Sequence, residues 1–544
     1  MKIALAQINP VVGDLAGNVA KHLRCIGQAR EQGAELVVFG ELSLMGYPPR
    51  DLLSRPEFIE ASARAVAEVA KACTDVAALV GFARPADGSP GRPLENAAAL
   101  LAGGAVAAVQ AKTLLPSYDV FDETRYFRRG PKIHPLSLRG RPLGVTICED
   151  LWDQPALGRS LYETDPVAAL KQAGAEVIVN MSASPFTRGK VRTRQELIVR
   201  QARRAGVPIV YVNQVGGNDE LIFDGASLAV AADGALLGRC RMFEEDLLVI
   251  DTAASASRSE DWPEDAELLA QALVLGIRDY AHKCGFTSAV LGLSGGIDSA
   301  VVATLAADAL GSENVLGLAM PSRYSSDHSL SDAYALAQNL GIRLEQAGIE
   351  PMHAAFEAAL HGNIPDATAD ITFQNIQARV RGCLVMAYSN GLGHLPLATG
   401  NKSEMATGYC TLYGDMDGGL APIGDVLKTQ VYQLARTLNS SGVRIPEGSL
   451  TKPPSAELKP DQTDQDRLPP YDVLDAILER YIECEQSAAE IVAQGFEAAL
   501  VQRVVRMVTF SEYKRRQAAP VLKVSPRAFG PGRRLPIACK LTGL

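Results

Sequence analysis

Three side chains in the N-terminal half could together cleave an amide: a thiol, a carboxylate and an ammonium. Cys148 follows the apolar run GVTI and Glu41 follows VVFG, so both are expected at strand ends, where a side chain is accessible on a fixed backbone. Lys112 lies in the segment QAKTLL. A cysteine can attack the amide carbon, a carboxylate can carry its proton to the leaving ammonia, and an ammonium can lower the thiol pKa and stabilise the oxyanion. Taken singly, the same residues also fit a core cysteine, a solvated or helix-capping carboxylate and a surface lysine.

A phosphate-binding loop is predicted in the C-terminal half. Residues 290–299 read VLGLSGGIDS, an apolar strand that turns through two glycines into the helical segment SAVVATLAADAL. Glycines let backbone N–H groups approach phosphate oxygens, and the helix N-terminus adds a positive dipole. The hydroxyls of Ser294 and Ser299 can donate hydrogen bonds, and Asp298 can hold a divalent cation. The loop lacks the GxxxxGK[ST] pattern, so transfer of a γ-phosphate is not indicated.

The segments around the first three residues resemble the nitrilase/amidase superfamily, whose catalytic residues are Glu, Lys and Cys in that chain order. The resemblance covers roughly residues 1–250 and rests on the strings FGELSLMGYPPRDL, KTLLPSYDVFDETRYF and ICEDLW. It implies an αββα sandwich in which Glu41 is the base, Lys112 the electrostatic partner and Cys148 the nucleophile that forms a thioester. It further implies a supporting carboxylate and a set of glutamine-binding residues, namely Glu123 and then Tyr118, Ser184 and Lys190.

The full SGGxDS pattern resembles the ATP pyrophosphatases, which transfer AMP to a carboxylate or carbonyl group and release pyrophosphate. Four later strings are similar to those of NAD synthetases, and the likeness covers nearly all of residues 265–544: FQNIQARVRG, LATGNKSEMATGYCTLYGD, LAPIGDVLKTQVY and KPPSAEL. The resemblance implies a doubly wound α/β domain of the adenine nucleotide alpha hydrolase-like type. It also implies these ATP-binding residues: Ser294, Gly295, Gly296, Ile297, Asp298, Ser299, Thr399, Lys428 and Ser455.

The same resemblance implies a metal ion and a second substrate. Mg²⁺ would be held by Asp298 and Glu404, and deamido-NAD would be contacted by Asn375, Arg379, Glu404 and Lys514. The chain departs from the family strings at Leu412, where ammonia-dependent relatives carry Lys, and at TDQD (463–466), where TDED is commoner.

Together the two resemblances are those of the glutamine-dependent NAD synthetases, ligases that form a C–N bond. They imply that glutamine supplies ammonia and that an adenylated nicotinate carboxylate accepts it. Free ammonia at neutral pH is mostly protonated and has no lone pair to attack. We therefore expect ammonia to be transferred along a closed path.

The elements that must position these residues alternate between apolar strands and amphipathic helices, which predicts an α/β fold. We predict an amidase domain at 1–253, a linker at 254–265 (ASASRSEDWPED) and a synthetase domain at 266–544 with an extended, basic C-terminal tail.

Composition sets the remaining limits. The 544 residues are 47% hydrophobic and carry a net charge of −9, which suits a globular enzyme and argues against a large nucleic-acid surface. The nine cysteines include no CxxC pair, and no signal peptide or membrane span is expected, so a reducing, cytoplasmic location is predicted. The family resemblance implies a homo-oligomer.

Two alternatives remain open. One is another ATP-dependent amidotransferase, acting on a nucleotide base or a tRNA; the acidic charge and the strings QARVRG and ATGNKSE count against it. The other is a regulator without activity, which would be expected to lack catalytic residues, whereas both sets are present here.

Overall fold

The computed structural model describes residues 1–86, 88, 91–131, 133–153, 158, 161–254 and 261–540, with 366–369 described by backbone only. The chain divides into two compact units, Met1–Pro263 and Glu264–Leu544. The predicted linker, 254–265, lies partly outside the described residues. Its C-terminal part packs on the first unit, because the Trp262 indole donates to the Gln195 side chain at 2.7 Å.

The first unit is built mainly from strands. They are β1 (Lys2–Gln7), β2 (Leu36–Val38), β3 (Ala77–Pro85), β4 (Leu94–Ala102), β5 (Ala105–Ala111), β6 (Leu136–Leu138), β7 (Arg141–Ile147), β8 (Val177–Ser182), β9 (Ile209–Asn213), β10 (Val215–Asn218), β11 (Leu221–Asp224), β12 (Leu228–Val230), β13 (Leu236–Arg239) and β14 (Asp246–Asp251). The helices are α1 (Leu15–Glu31), α2 (Pro56–Lys71), α3 (Pro166–Gln172) and α4 (Lys190–Ala205).

Two six-stranded sheets form the centre of this unit, in the orders β14-β1-β2-β3-β4-β5 and β13-β12-β9-β8-β7-β6. Side chains alternate between the two faces of each strand. In β1, Ile3 and Leu5 face the second sheet, whereas Ala4 and Ala6 pack against α1 and α2. Helices α3 and α4 cover the outer face of the second sheet. The predicted αββα sandwich is therefore confirmed.

The second unit contains a four-stranded parallel sheet in the order β17-β16-β15-β18. The strands are β15 (Ala289–Gly292), β16 (Val315–Ala319), β17 (Arg343–Gln346) and β18 (Leu395–Pro396). Its helices are α5 (Asp265–Lys283), α6 (Ile297–Leu310), α7 (Asp327–Leu340), α8 (Glu350–Leu360), α9 (Asp366–Leu392), α10 (Lys402–Thr407), α11 (Lys428–Leu438), α12 (Glu447–Thr451), α13 (Tyr471–Leu478), α14 (Ala488–Ala493), α15 (Ala498–Phe510) and α16 (Glu512–Arg515).

This parallel sheet needs covering helices on both faces. Val385 of α9 packs against Val290 and Leu316, and α6 follows β15 directly to complete the doubly wound arrangement. Ends of parallel strands meet at one edge, where ligands bind in such folds. Among the described helices, none combines the length and the apolar character needed to cross a lipid bilayer.

Candidate active sites

Glu41 lies just after β2, on a backbone segment that a glycine allows to pass close to β3. A Cβ atom on Gly81 would lie 2.3 Å from the Leu42 nitrogen and 2.9 Å from the Glu41 carbonyl carbon. Any larger residue would push Glu41 away. The Glu41 amide also donates to the Ser182 carbonyl at 3.3 Å, which ties the segment to the end of β8 in the other sheet.

The Lys112 ammonium lies between two carboxylates and is fully buried. Its Nζ is 2.7 Å from Glu41 Oε1 and 2.7 Å from Glu123 Oε1. Burial opposes the charge, yet Glu123 and Glu41 raise the pKa of Lys112 well above its usual value. Burial raises the pKa of Glu123 to about 7, with Lys112 lowering it and Glu41 raising it. One buried cation therefore serves two carboxylates, and burial favours the protonated form of Glu123 near neutral pH.

Cys148 begins a 3₁₀ turn, Cys148–Leu151, immediately after β7. Its φ of 44° lies in the left-handed region that L residues rarely adopt, and such conformations concentrate at functional sites. Burial raises the pKa of the Cys148 thiol well above its usual range, and Glu41 raises it further, while Lys112 lowers it. The resting nucleophile is therefore a neutral thiol.

Asp150 fixes this turn to the Lys112 segment. One carboxylate oxygen accepts the amides of Thr113 and Leu114 at 3.0 and 2.7 Å, and the other accepts the Ile147 amide at 3.0 Å. Burial raises the pKa of Asp150 to about 7, and its backbone hydrogen bonds lower it. The strand that carries the nucleophile and the loop that carries the lysine are thus held by one side chain.

Glu149 is a carboxylate of the glutamine site that sequence reasoning missed. Tyr118, one of the predicted glutamine-binding residues, contacts it directly. Tyr118 donates to Glu149 at 3.0 Å, and Tyr162 donates to it at 2.9 Å. Burial raises the pKa of Glu149, and Lys112 lowers it. The Lys190 ammonium lies 5.7 Å from the centre of the Trp152 ring and donates to the Pro185 carbonyl at 3.0 Å.

Ser184 is buried at the end of β8, where its amide donates to Asn213 Oδ1 at 2.8 Å. Glu149 could have been suspected from the sequence because it follows the nucleophile directly. Tyr162 lies 14 positions beyond Cys148 and has no sequence signal that we can identify.

In the second unit, the predicted phosphate loop lines a cavity of about 310 Å³. The Ser299 hydroxyl donates to the Gly296 carbonyl at 3.0 Å, and the Gly296 amide donates to Ser294 Oγ at 3.2 Å. Gly295 has a φ of 75°, and a Cβ there would lie 2.2 Å from the Ser329 carbonyl oxygen. The loop is therefore stabilised by hydrogen bonds between its own residues, and α6 begins directly after it, at Ile297.

A buried lysine and several acids form the base of the cavity. Lys428 donates to Asp298, and Asn401 donates to the other Asp298 oxygen at 3.0 Å. Burial raises the pKa of Glu404 well above its usual value, and Asp298 raises it further, while Lys428 lowers it. Burial also raises the pKa of Asp464 in the same cluster. Three carboxyl groups, those of Asp298, Glu404 and Asp464, thus lie around the single Lys428 ammonium at this point.

This acid excess suits a divalent cation. Within the described part of the chain, no group of three or more His, Cys, Asp or Glu side chains forms a metal site by itself. Mg²⁺ usually takes only one or two carboxylates and completes its shell with phosphate oxygens and water. The donor set of Asp298 and Glu404 fits that pattern.

Most residues predicted for ATP binding line the cavity: Ser294, Gly296, Ile297, Asp298, Ser299, Thr399, Lys428 and Ser455, together with Glu404. The other predicted residues do not line it. Gly295 accepts from Ser449 through its carbonyl at 2.9 Å, and Asn375 accepts from Thr411 at 3.0 Å. Lys514 donates to the Gly408 and Cys410 carbonyls at 2.7 and 2.6 Å, and Arg379 is exposed.

Arg381, which sequence reasoning missed, lines the cavity in place of Arg379. Its Nε donates to the Met320 carbonyl at 3.0 Å, at the end of β16. Burial lowers the pKa of Arg381 to about 10, although Glu457 and Asp415 raise it. Arg381 is half-buried and forms no ion pair with a carboxylate among the described residues, so a ligand that supplies countercharge or a stacking face would stabilise it.

Comparisons with known proteins assign a family to each of the two units. Residues 2–262 match the carbon-nitrogen hydrolase family, and residues 269–518 match the NAD synthase family. The chain is 50% identical over 547 residues to the glutamine-dependent NAD(+) synthetase of Synechocystis sp., covering 98% of each protein. It is 44% identical to that of Xanthomonas campestris pv. campestris, covering 100% of this chain and 98% of the relative.

Solved structures give the same result. The glutamine-dependent NAD+ synthetase of Acinetobacter baumannii, in complex with adenosine diphosphate, matches with a TM-score of 0.78 at 39% identity over 98% of both chains. A glutamine-dependent NAD(+) synthetase from Cytophaga hutchinsonii shares the fold, with a TM-score of 0.85 at 24% identity over 99% of this chain and 97% of that one. With both family models matched and relatives similar over their full length, the chain belongs to the glutamine-dependent NAD(+) synthetases.

Proposed function

We propose that each unit carries out one half of NAD synthesis and that the residues described above do the chemistry. The first unit hydrolyses glutamine to glutamate and ammonia. The second transfers AMP from ATP to the nicotinate carboxylate of deamido-NAD, releasing pyrophosphate, and ammonia then displaces AMP. The observation that carries the proposal is the Lys112 ammonium, which lies 2.7 Å from each of two buried carboxylates, Glu41 and Glu123. This ion cluster also acts on the pKa of Cys148, whose backbone is strained. Such an arrangement serves proton transfer.

In the glutaminase reaction, the Cys148 sulfur attacks the side-chain amide carbon as Glu41 takes the thiol proton. Glu41 returns that proton to the leaving nitrogen, so the C–N bond breaks, ammonia departs and a thioester remains. Water then gives a proton to Glu41 and attacks the thioester, and the sulfur recovers its proton as glutamate leaves. Lys112 holds Glu41 in place throughout and limits the build-up of negative charge.

Glutamine recognition needs one anionic and one cationic group, because the substrate has an α-ammonium and an α-carboxylate. Glu149 supplies buried negative charge, oriented by Tyr118 and Tyr162. Lys190 supplies positive charge at the start of α4, where the helix dipole also favours an anion. Ser184 lies buried at the end of β8 and offers a hydroxyl to the substrate.

For ATP, the loop at 294–299 offers backbone amides and two hydroxyls, and Lys428 offers a buried ammonium to the phosphates. Thr399 and Ser455 add hydroxyls on the facing walls. The adenosine diphosphate complex of the Acinetobacter baumannii relative supports a nucleotide site in this family. Bound Mg²⁺, held by Asp298 and Glu404, would supply charge neutralisation for the phosphates.

For deamido-NAD, Asn375, Arg379 and Lys514 remain proposed contacts. Lys514 lies close enough to lower the pKa of Asp415 on the cavity wall. We add Arg381 as the arginine that meets bound nucleotide, because it is the one whose side chain lines the cavity among the arginines of the described residues.

The proposal also includes closed transfer of ammonia, a homo-oligomeric assembly and a cytoplasmic location. The proposed location rests on the cysteine pattern of the sequence, which includes no CxxC pair and is expected of a reducing compartment. Dilution of glutamine-derived ¹⁵N in the NAD formed, on addition of unlabelled ammonium at low concentration, would exclude closed transfer. Light scattering after gel filtration tests the assembly.

Cys148→Ala separates the two reactions. We expect this variant to lose NAD synthesis from glutamine and to keep synthesis from ammonium, with AMP and pyrophosphate formed in equal amounts. Cys73→Ala removes an equally buried thiol from the helix–sheet core and should keep both activities. Formation of ADP in place of AMP, or retained use of glutamine by Cys148→Ala, would contradict the proposal.

A further inference from the structure

Glu41 and Glu123 compete for one ammonium, and the Lys112 contacts do not distinguish between them. Both distances are 2.7 Å, and both carboxylates are buried. Two carboxylates sharing one buried cation cannot both ionise without cost, so the pair tends to hold one proton between them. A proton on Glu41 would block the reaction, because Glu41 must accept the thiol proton. Some other group must direct the proton to Glu123.

Asn96, on β4, is the side chain that makes this distinction. Its Nδ2 donates to Glu41 Oε1 at 2.7 Å but lies 3.4 Å from Glu123 Oε2. Glu41 also accepts the Ala183 amide at 3.2 Å. Besides Lys112 and the longer Asn96 contact, Glu123 accepts a hydrogen bond from the Tyr47 phenol at 3.1 Å. We propose that Asn96 is a positioning residue that keeps Glu41 ionised, so that Glu123 carries the shared proton.

The rest of the asparagine side chain argues against a purely structural role. Asn96 Oδ1 is buried and has no hydrogen-bond partner among the described residues. A buried amide that leaves its acceptor unsatisfied is a poor stabilising feature. The main-chain carbonyl of Asn96, which accepts the Lys112 amide at 2.8 Å, would survive any substitution of the side chain. What the side chain alone provides is the contact with the carboxylates.

Four titratable side chains that face the pair keep their protons between pH 5 and 9. They are Tyr47, Lys112, Cys148 and Tyr162. Burial raises the pKa values of Tyr47, Cys148 and Tyr162, and the carboxylates raise that of Lys112 against the effect of burial. Burial also raises the pKa values of Glu149 and Asp150, which lie beside Cys148. These two carboxyl groups are unchanged in the Asn96 variants, so a shift of the acid limb between parent and variant reports the Glu41–Glu123 pair.

The inference rests on the proposed roles of Cys148 and Glu41 and is tested with Asn96→Ala and Asn96→Asp in the full-length protein. Hydrogen bonds to charged groups can move a pKa by about one to two units. Asn96→Ala should therefore shift the acid limb of kcat/KM for glutamine upward by about one pH unit, and Asn96→Asp by more, because it adds a third carboxylate. The loss should approach about tenfold at a pH below the acid limb of both proteins and should be small at pH 9. Synthesis from ammonium should be unchanged at both pH values.

Asn18→Ala is the matched control. Asn18 is as buried as Asn96 but bonds only to main-chain groups, including the Leu44 carbonyl at 2.9 Å. It should reduce stability without moving the acid limb. If Asn96→Ala does not fold, the nearly isosteric Asn96→Asp still reports the shift. An acid limb that coincides with that of the parent in the folded Asn96 variants overturns the inference, even if the rate falls. Glutamine use by Cys148→Ala would instead overturn the proposed function itself.

Discussion

Lys112→Met tests how strongly the ion cluster depends on its single cation. Methionine has nearly the length of lysine and no charge, so it fills the same space and leaves Glu41 and Glu123 without their common partner. The lysine side chain is 0% exposed, and both ion pairs are 2.7 Å long. Breaking a buried ion pair by removing one partner costs about 3–5 kcal/mol. We expect the first unit to lose that much free energy of unfolding at pH 8.

The loss should disappear on acidification. Without Lys112, the pKa values of both carboxylates in the folded state rise above their unfolded values. Stability from a group with a raised folded pKa is complete below its unfolded pKa and is lost as pH rises through its folded pKa. In the parent, the pKa of Glu123 is already raised to about 7. A carboxyl group whose pKa is raised by about three units loses ~4 kcal/mol of stability at high pH. This agrees with the cost given above for breaking a buried ion pair. The variant should thus approach the parent near pH 5 and fall below it by pH 8.

Two matched variants sharpen this test. Lys112→Met combined with Glu123→Gln removes one of the two uncompensated charges and should recover about half of the loss. Lys71→Met, at the exposed end of α2, should have no effect. Urea-dependent hydrogen exchange resolves the units, with β4 peptides reporting the first and β16 peptides the second. Equal stability of Lys112→Met and the parent at pH 8, or a variant that weakens further on acidification, would refute the reasoning.

Two further substitutions test the recognition of each substrate. Glu149→Gln should raise KM for glutamine about 10- to 100-fold, because a hydrogen bond to a charged partner is lost, and should leave KM for ammonium unchanged. Steady-state kinetics with either nitrogen donor measure both values. An unchanged KM for glutamine would show that Glu149 is not part of the glutamine site. Arg381→Leu should raise KM for ATP about tenfold with both nitrogen donors, whereas Arg379→Leu, at a proposed deamido-NAD contact, should leave KM for ATP close to that of the parent. The reverse order would contradict the ATP-binding role of Arg381.

The fold could be predicted from the sequence where apolar periodicity was clear, as in α1, and where a short apolar run ends at a glycine turn, as in β15. The hairpin formed by β4 and β5 was not predicted from the sequence. Its sequence, LENAAALLAGGAVAAVQA, is rich in alanine, which favours helix, and β4 is buried over almost its whole length and so shows no alternation. The glycine pair at 103–104 between two apolar runs was the available signal. Because β4 was not predicted, Asn96, which lies on this strand, was not identified as a residue of the site.

The site residues also fall into two groups: those that the sequence identifies and those that only the packing of the folded chain identifies. Asp298 and Cys148 were identifiable because a turn or a strand end fixes where such a side chain points. Arg379 and Arg381 are two positions apart on one helix, which turns them about 200° from each other. Only one of them can face the cavity, and the string QARVR does not say which. Packing of α9 on the sheet decides in favour of Arg381.

Lys112 also has a different effect from the one its residue type predicts. An ammonium near a thiol is expected to lower the thiol pKa, and Lys112 does act on Cys148 in that direction. Burial and Glu41 outweigh it, so the net shift is upward. The reason is the local charge balance: the cost of burying a thiolate and the negative charge of Glu41 together exceed the favourable effect of the single Lys112 ammonium. The sulfur therefore becomes nucleophilic only as its proton leaves, and the enzyme depends on an ionised base beside it more than on a preformed thiolate. That dependence is why control of the proton between Glu41 and Glu123 matters for ammonia release.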